Sequence, residues 1–385
     1  MINAPSHWND LESAVDSKME IKIQVGGSSG QTYYNEDLAA GDTKITHSLY
    51  DSFGIGNAAS AEFTTTILDL PAIGDGILSV VPSVRWVSAD GQTATDWVPQ
   101  GQFWLDSVKI NQDHSAAITA YDSLMLAEQL YFPSGEDDPS LWPQAASSVV
   151  SYICNALWTT LDSRSSIPSV QIAYPGGKTM RDVLREIATA AHGNWSMTKE
   201  GKLRLVPVHG NSSSSLQSIT VTDIESLCSE AYVTQVILKD GSTSFSSGSA
   251  TGHTLEGSFT GADQNMADDL LQACSSVSYQ GFSISGGLFS ALLELGDPVS
   301  TTIGEDTYYY TFDSYSALFE QGCWGDIESP VSTEVNHRIR FTSGQGSQSA
   351  AEKAAEQYSL KVVSVAVLPA VQEPNTIYLV QGSAG

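Results

Sequence analysis

Ala61-Glu62-Phe63-Thr64-Thr65-Thr66-Ile67-Leu68 alternates its side chains and is rich in β-branched residues, which suit a pleated, half-buried surface. It reads as a strand. Working outward, the segments 19–25, 77–81, 84–87, 103–110 and 116–121 repeat the pattern. Turn chemistry separates them at Gly26-Gly27-Ser28-Ser29-Gly30, Gly74-Asp75-Gly76 and Asp90-Gly91. Residues 18–125 therefore predict one antiparallel β domain, preceded by an N-terminal arm or short helix in 1–17.

Beyond Tyr131 the pattern changes. Glu136-Asp137-Asp138-Pro139-Ser140 suits a loop that caps a helix, and Val149, Val150, Ile153, Leu157 and Leu161 recur at helical spacing through 147–161. Thr179 with Asp182 forms a T-x-x-D start box. Met180, Val183, Leu184, Ile187, Ala188 and Ala191 then share one face, and Gly193 is placed to stop the helix. Strands at 195–198 and 202–206 around Lys199-Glu200-Gly201 make a hairpin. This α/β insert, 126–210, holds seven of the chain's 17 Lys and Arg residues.

Alternation returns near Ile219 and defines a second β region, 211–335. Strands are predicted at 232–238, 253–258, 282–284, 298–303 and 307–313, with an amphipathic helix over 262–276 that buries Met266, Leu270, Leu271 and Cys274. The two regions end alike, on Tyr121-Asp122-Ser123 and Phe312-Asp313-Ser314, as an internal duplication would. Residues 336–385 offer a helix over 348–358 and strands over 361–368 and 376–380. The fold class is mainly β with an α/β insert.

Asp and Glu total 44 against 17 Lys and Arg, and no Lys or Arg lies between Lys239 and Arg338. Such a surface repels nucleic acid and anionic membranes, which argues against DNA binding by counterion release. Solubility, or a halophile's surface, accounts for the excess equally well. No apolar run approaches the roughly 20 residues of a membrane span, and the start Met1-Ile2-Asn3-Ala4-Pro5-Ser6-His7-Trp8 lacks the parts of a signal peptide. The expectation is a chain neither exported by a standard signal nor anchored. Cys154, Cys228, Cys274 and Cys323 lie far apart without a C-x-x-C pair, which suits free buried thiols.

Enzyme motifs fail on context. Gly26 to Gly30 fits G-x-S-x-G, yet Gln31-Thr32-Tyr33-Tyr34 continues as a strand where a nucleophile elbow needs a helix. Gly54-Ile55-Gly56-Asn57-Ala58-Ala59 fits a loose dinucleotide pattern, but a strand follows, so no cofactor is predicted. The His residues are scattered, and Glu136-Asp137-Asp138 and Asp268-Asp269 read as a solvated loop and a helix surface, so no metal is predicted either. An acid pair for glycoside hydrolysis leaves no sequence signature. Exposed aromatics such as Tyr308, Tyr309 and Tyr310 could stack on sugars, while strand alternation suits burial of Tyr309 with exposure of its neighbours equally well.

Several segments together resemble the baseplate or tail-tip hub family of tailed phages. They are Ile55-Gly56-Asn57-Ala58-Ala59-Ser60-Ala61-Glu62-Phe63, Trp97-Val98-Pro99-Gln100-Gly101-Gln102-Phe103-Trp104-Leu105-Asp106 and Thr119-Ala120-Tyr121-Asp122. Thr179-Met180-Arg181-Asp182-Val183-Leu184, Gly193-Asn194-Trp195, Gly201-Lys202-Leu203-Arg204-Leu205 and Leu292-Leu293-Glu294-Leu295-Gly296-Asp297-Pro298-Val299 follow in order.

The resemblance implies two tube-type antiparallel β-barrel domains per chain and a homotrimer whose ring joins a six-fold tail tube to a three-fold tip. It implies a virion protein assembled in the host cytoplasm, without catalytic residues. Its partners would be the tail tube or distal tail protein, a central spike or tip protein and the tape measure protein, with DNA only in transit. Acids in the base-free stretch are then candidates to line the channel: Asp240, Glu256, Asp263, Asp297, Glu305, Asp306 and Asp326. Residues 336–385 read as an attachment arm, with no room for a cell-wall hydrolase domain. A carbohydrate- or receptor-binding tail module is the alternative, and an intracellular acid-pair hydrolase a third possibility.

Overall fold

The computed structural model describes residues 2–329 except 27–29, 51–52, 70–77, 133–138, 211–215, 222–223, 228–229, 304 and 320–321, together with the strands at 361–365 and 376–380. The first region runs α1 (Trp8–Glu12), β1 (Lys18–Val25), β2 (Gln31–Tyr34), β3 (Lys44–Ser48), β4 (Glu62–Ile67), β5 (Ser79–Val87), β6 (Val98–Pro99), β7 (Phe103–Ile110) and β8 (Ala116–Asp122). Alternation decides their faces. On β1, Met19, Ile21, Ile23 and Val25 are buried while Lys18, Glu20, Lys22 and Gln24 are not. β1 pairs antiparallel with β2, from Lys22↔Tyr34 to Val25↔Gln31, so a strand follows the G-x-S-x-G match where a nucleophile elbow needs a helix; residues 27–29 of the match lie outside the described residues.

One difference from the sequence pattern lies in β5, a single strand where two runs flanked Pro82-Ser83. Pro82 pairs with Ile23 of β1 on one side. On the other side β5 meets β7 only at Ser79 and Val80, and β6 only at Ser83 and Val84. Pro82 thus falls in a gap of the ladder, where its missing N–H costs nothing.

The insert comprises β9 (Gln144–Ala145), α2 (Ala146–Ala156), β10 (Gln171–Ile172), α3 (Met180–Ala190), β11 (Gly193–Met197) and β12 (Leu203–Pro207). The box at the start of α3 forms as read: Thr179 Oγ1 accepts from the Asp182 N–H (3.1 Å) and Asp182 Oδ2 accepts from the Thr179 N–H (3.2 Å). Its buried face carries Met180, Val183, Leu184 and Ile187, each side chain worth about 1.5–3 kcal/mol of burial. The stop is different. His192, at φ 55°, reverses the chain, and Gly193 instead opens β11. α2 ends earlier than its apolar spacing implied, because Trp158 takes φ 53° and the Thr159 N–H closes back on the Cys154 carbonyl (3.0 Å).

The second region contains β13 (Gln217–Ser218), β14 (Ile224–Leu227), β15 (Ala231–Asp240), β16 (Thr243–Gly248), β17 (His253–Ser258), α4 (Gln264–Cys274), β18 (Ser278–Tyr279), β19 (Phe282–Phe289), β20 (Pro298–Ile303), β21 (Asp306–Thr311), β22 (Ser314–Phe319) and β23 (Cys323–Ser329). On α4, Ala267, Leu270 and Cys274 are buried, while Met266 and Leu271 pack at the margin. β22 pairs antiparallel with β3, from Ser314↔Ser48 to Leu318↔Lys44. That seam puts strands of both regions into one 12-stranded sheet, ordered β14-β19-β23-β22-β3-β4-β8-β7-β5-β1-β2 with β6 on β5. Among the described residues the path is open, with β14 and β2 at its ends, rather than two closed rings of strands. One apolar core runs from Ile23 through Trp195 and Leu255 to Ile327 and includes residues of both β regions and the insert.

The chain divides into two compact units, Met1–Gly344 and Gln345–Gly385; in the latter, β24 (Lys361–Val365) pairs in parallel with β25 (Thr376–Val380). The turn at 74–76, the acidic loop at 136–138, Cys228 and the helix read at 348–358 lie outside the described residues. Cys154, Cys274 and Cys323 are buried free thiols; burial pushes Cys154 up to about 11 and the other two up to about 12.

Candidate functional site

The segments quoted above for their order along the chain meet in space. The Gly56 N–H donates to the Gly193 carbonyl (2.9 Å) and the Trp195 N–H to the Asn57 carbonyl (2.7 Å), so the loop before β4 lies along β11. Asn194 locks it: its Oδ1 accepts from the Asn57 backbone N–H (3.0 Å) and side-chain Nδ2 (3.0 Å), and its own Nδ2 donates to the Gly54 carbonyl (2.6 Å). Gly56 is required there. Its φ is +77°, and a Cβ would stand 2.4 Å from Thr189 Oγ1 of α3.

Arg181, 3% exposed, reaches from α3 into the first region. It donates to the carbonyls of Ala58 and Leu124 and to Ser60 Oγ, and pairs with Glu128 (2.6 Å). Beside it, Asp122 accepts from the N–H groups of Ala61 (2.8 Å) and Leu124 (3.0 Å). Burial nevertheless pushes its carboxyl up to about 7, against those bonds and the Arg181 charge.

A second buried cluster ties the insert to both β regions. Lys199 Nζ donates to Gln100 Oε1 (2.8 Å) and to the Ala291 carbonyl (2.7 Å), and lies 5.9 Å from the Tyr315 ring centroid. Burial pulls its pKa below that of an ordinary lysine, with Cys323, Glu294 and Asp297 opposing. Glu294, 4% exposed, receives Arg164 Nη1 (2.6 Å), lies 3.6 Å from Arg204 Nη1 and accepts from the Lys199 N–H (3.3 Å). Burial works to raise Glu294, but the bond and charge of Arg164, with Arg204, hold it below the usual carboxylate range. His47 bonds Ser196 Oγ (3.1 Å), and burial takes it down to about 3, so its imidazole is neutral.

The insert's cations are consequently turned inward. Arg181, Arg185, Lys199 and Arg204 are buried, while Arg164, Lys178 and Lys202 pair with Asp162 and Glu294, with Glu186 and with Glu200. The segment richest in cations thus presents no isolated basic patch among the described residues.

The seven candidate acids do not form one cluster. Asp297 is 0% exposed and accepts from the Glu294 N–H (2.9 Å) inside its own turn. Glu256 is 7% exposed and holds Lys239 Nζ (2.8 Å). A carboxylate so buried cannot face a water-filled bore, which corrects the reading for these two. Asp240 is half-buried and accepts from the Gly261 N–H (3.1 Å); Asp263 is the exposed N-cap of α4, accepting from the Met266 N–H (2.8 Å). Glu305 and Asp306 are exposed at the β20–β21 turn, and Asp326 is exposed on β23. Tyr309 points outward at 68% exposure, with Tyr308 and Tyr310 half-buried.

Sequence reading missed Arg181, Asn194, Lys199 and Glu294 as a working set, although each lies in or beside the quoted segments. Their signal was charge in otherwise apolar surroundings, which names no partner until the fold supplies one. Among the described residues no group of three or more His, Cys, Asp or Glu is placed to hold a metal ion, and no helix is long and apolar enough to cross a membrane.

No protein-family model and no curated protein matches the sequence. Among solved structures, the 43 kDa tail protein of prophage MuSo2 from Shewanella oneidensis is 14% identical, with a TM-score of 0.48, over 80% of this chain and 97% of that one. The tail protein from Neisseria meningitidis MC58 is 11% identical, with a TM-score of 0.49, over 83% and 98% of the two chains. Prophage tail protein gp18 from Listeria monocytogenes EGD-e is 11% identical, also at 0.49, over 83% and 97%. These three solved structures are tail proteins.

Proposed function

We propose that this chain is a structural hub of a bacteriophage tail tip or baseplate, working as a homotrimer that joins a six-fold tail tube to a three-fold tip and leaves a channel for DNA. The β22–β3 seam carries the proposal. It sets strands of two β regions side by side in one sheet, and each region has a buried aspartate at a strand boundary, Asp122 closing β8 and Asp313 between β21 and β22. Three such chains supply six β units around an axis. The buried junction fixes the insert against both, a rigid coupling suited to a part that must transmit load.

In this reading 18–125 and 211–335 are the tube-type domains, 126–210 the insert and 336–385 an attachment arm. The partners are the tail tube or distal tail protein, a central spike or tip protein and the tape measure protein. The role is non-enzymatic and the site of action is the virion. Of the proposed lining acids, Asp240, Asp263, Glu305, Asp306 and Asp326 retain access to solvent. Carboxylates along a bore repel phosphates in transit and give DNA nowhere to rest. Chemical cross-linking and native mass spectrometry on assembled particles test the stoichiometry: three copies per tip are expected, and a single copy per particle sinks the hub.

A further inference from the structure

We infer that the open edge of β21 is a docking groove for an extended, Lys- or Arg-bearing segment of another protein, taken up as an added strand. Among the described residues β21 pairs with β20 alone. The Phe312 N–H donates to the Asp297 carbonyl and the Gly296 N–H to the Phe312 carbonyl (both 2.9 Å), which sets the phase of this antiparallel ladder. Counting back by twos turns the backbone groups of Tyr310 and Tyr308 toward β20. Those of Thr311, Tyr309 and Thr307 therefore point to the open side.

That side is a groove. Residues Thr307 to Thr311 form one wall, and Ser278, Tyr279 and Gln280 with Glu230 line the other. Unpaired strand edges are normally guarded by lysine, proline or a bulge, yet Asp306-Thr307-Tyr308-Tyr309-Tyr310-Thr311 contains neither residue and pairs with β20 without a register shift. Tyr309 offers an aromatic face to a guest side chain. Charge selects the guest: Glu305 and Asp306 stand exposed at one end, Glu230 on the facing wall, and the sequence has no Lys or Arg from 240 to 337. Main-chain bonds would supply affinity, and alternate guest side chains specificity.

The inference stands apart from the hub proposal, since it concerns the single chain. Fluorescence anisotropy on the full chain tests it with three labelled peptides: (Lys-Val)5, (Glu-Val)5, and (Lys-Val)5 N-methylated at alternate residues. Losing two main-chain bonds of about 1 kcal/mol each corresponds to at least a tenfold loss, so (Lys-Val)5 should bind about tenfold or more tighter than its methylated form. It should also bind tighter than (Glu-Val)5. Thr307→Pro removes an outward N–H at an edge position that tolerates proline, and should weaken (Lys-Val)5 similarly while circular dichroism stays unchanged. Tyr309→Ser leaves the backbone edge intact and should weaken it less. Equal binding of the methylated and unmethylated peptides would mean mere charge adhesion and overturn the inference. So would binding of a chito-oligosaccharide that Tyr309→Ser abolishes while neither Thr307→Pro nor methylation affects (Lys-Val)5.

Discussion

Glu294 compensates two arginines at once, so neutralising it isolates charge that burial makes expensive. Breaking a buried ion pair costs about 3–5 kcal/mol, and because Arg164 keeps 33% of its side chain exposed the lower end applies to Glu294→Gln. Urea denaturation should register a loss of about 2–3 kcal/mol; a change within 0.5 kcal/mol, roughly that of a surface substitution, would show the cluster to be idle. Asp122 gives the pH dependence its sign. Its carboxyl is raised to about 7 in the folded chain from an unfolded value near 3.8, so the native state binds the extra proton between them. Its stabilising share is complete below the unfolded value and is lost as pH rises through about 7. Asp122→Asn should flatten that part of the stability–pH curve, and an unchanged slope from pH 4 to 7 refutes the assignment. Glu294 acts oppositely: its depressed carboxyl stabilises above its ordinary range and loses that share as pH falls.

Elements were legible in proportion to how local their causes are. The Thr179–Asp182 box needs four consecutive residues, and the sequence displays them all; Thr179→Ala should cost about 1 kcal/mol in thermal or chemical unfolding. The end of α3 was misread because Gly193 satisfies a different constraint. A Cβ there would lie 2.4 Å from the Val206 carbonyl oxygen, so glycine is needed for β11 to approach β12, while His192 takes the left-handed turn. Gly193→Ala should therefore destabilise more than Thr179→Ala; equal losses would return Gly193 to the role of a helix stop. Parity on β21 was undecidable for a related reason. Alternation yields two faces but not which is inward, and only pairing with β20, where Val299 and Thr301 are fully buried opposite Tyr310 and Tyr308, sends Tyr309 out.

Whole-molecule organisation was the least legible, because the β22–β3 seam joins residues about as far apart as Thr46 and Ser316, whose hydroxyls meet at 3.2 Å. No local window carries that pairing. The charge excess was visible at once, but its arrangement was not: four of the insert's seven cations are buried and the other three are paired, leaving the acids outside less offset than composition suggested. This bears on the proposed channel. Reversing Asp240, Asp263, Glu305, Asp306 and Asp326 together to Lys changes the net charge by +10 without touching buried Glu256 or Asp297. Particles carrying the five changes should assemble yet release DNA more slowly, since phosphates would find cations along their path. Exposed charges are screened over about 8 Å at physiological ionic strength and about 3 Å at 1 M salt. Salt should therefore restore the release rate if the acids act by repulsion, because screening removes the added attraction. Slow release that salt leaves unchanged would point to a blocked or distorted passage instead. Release as fast as in the parent particle would place these acids away from the DNA altogether.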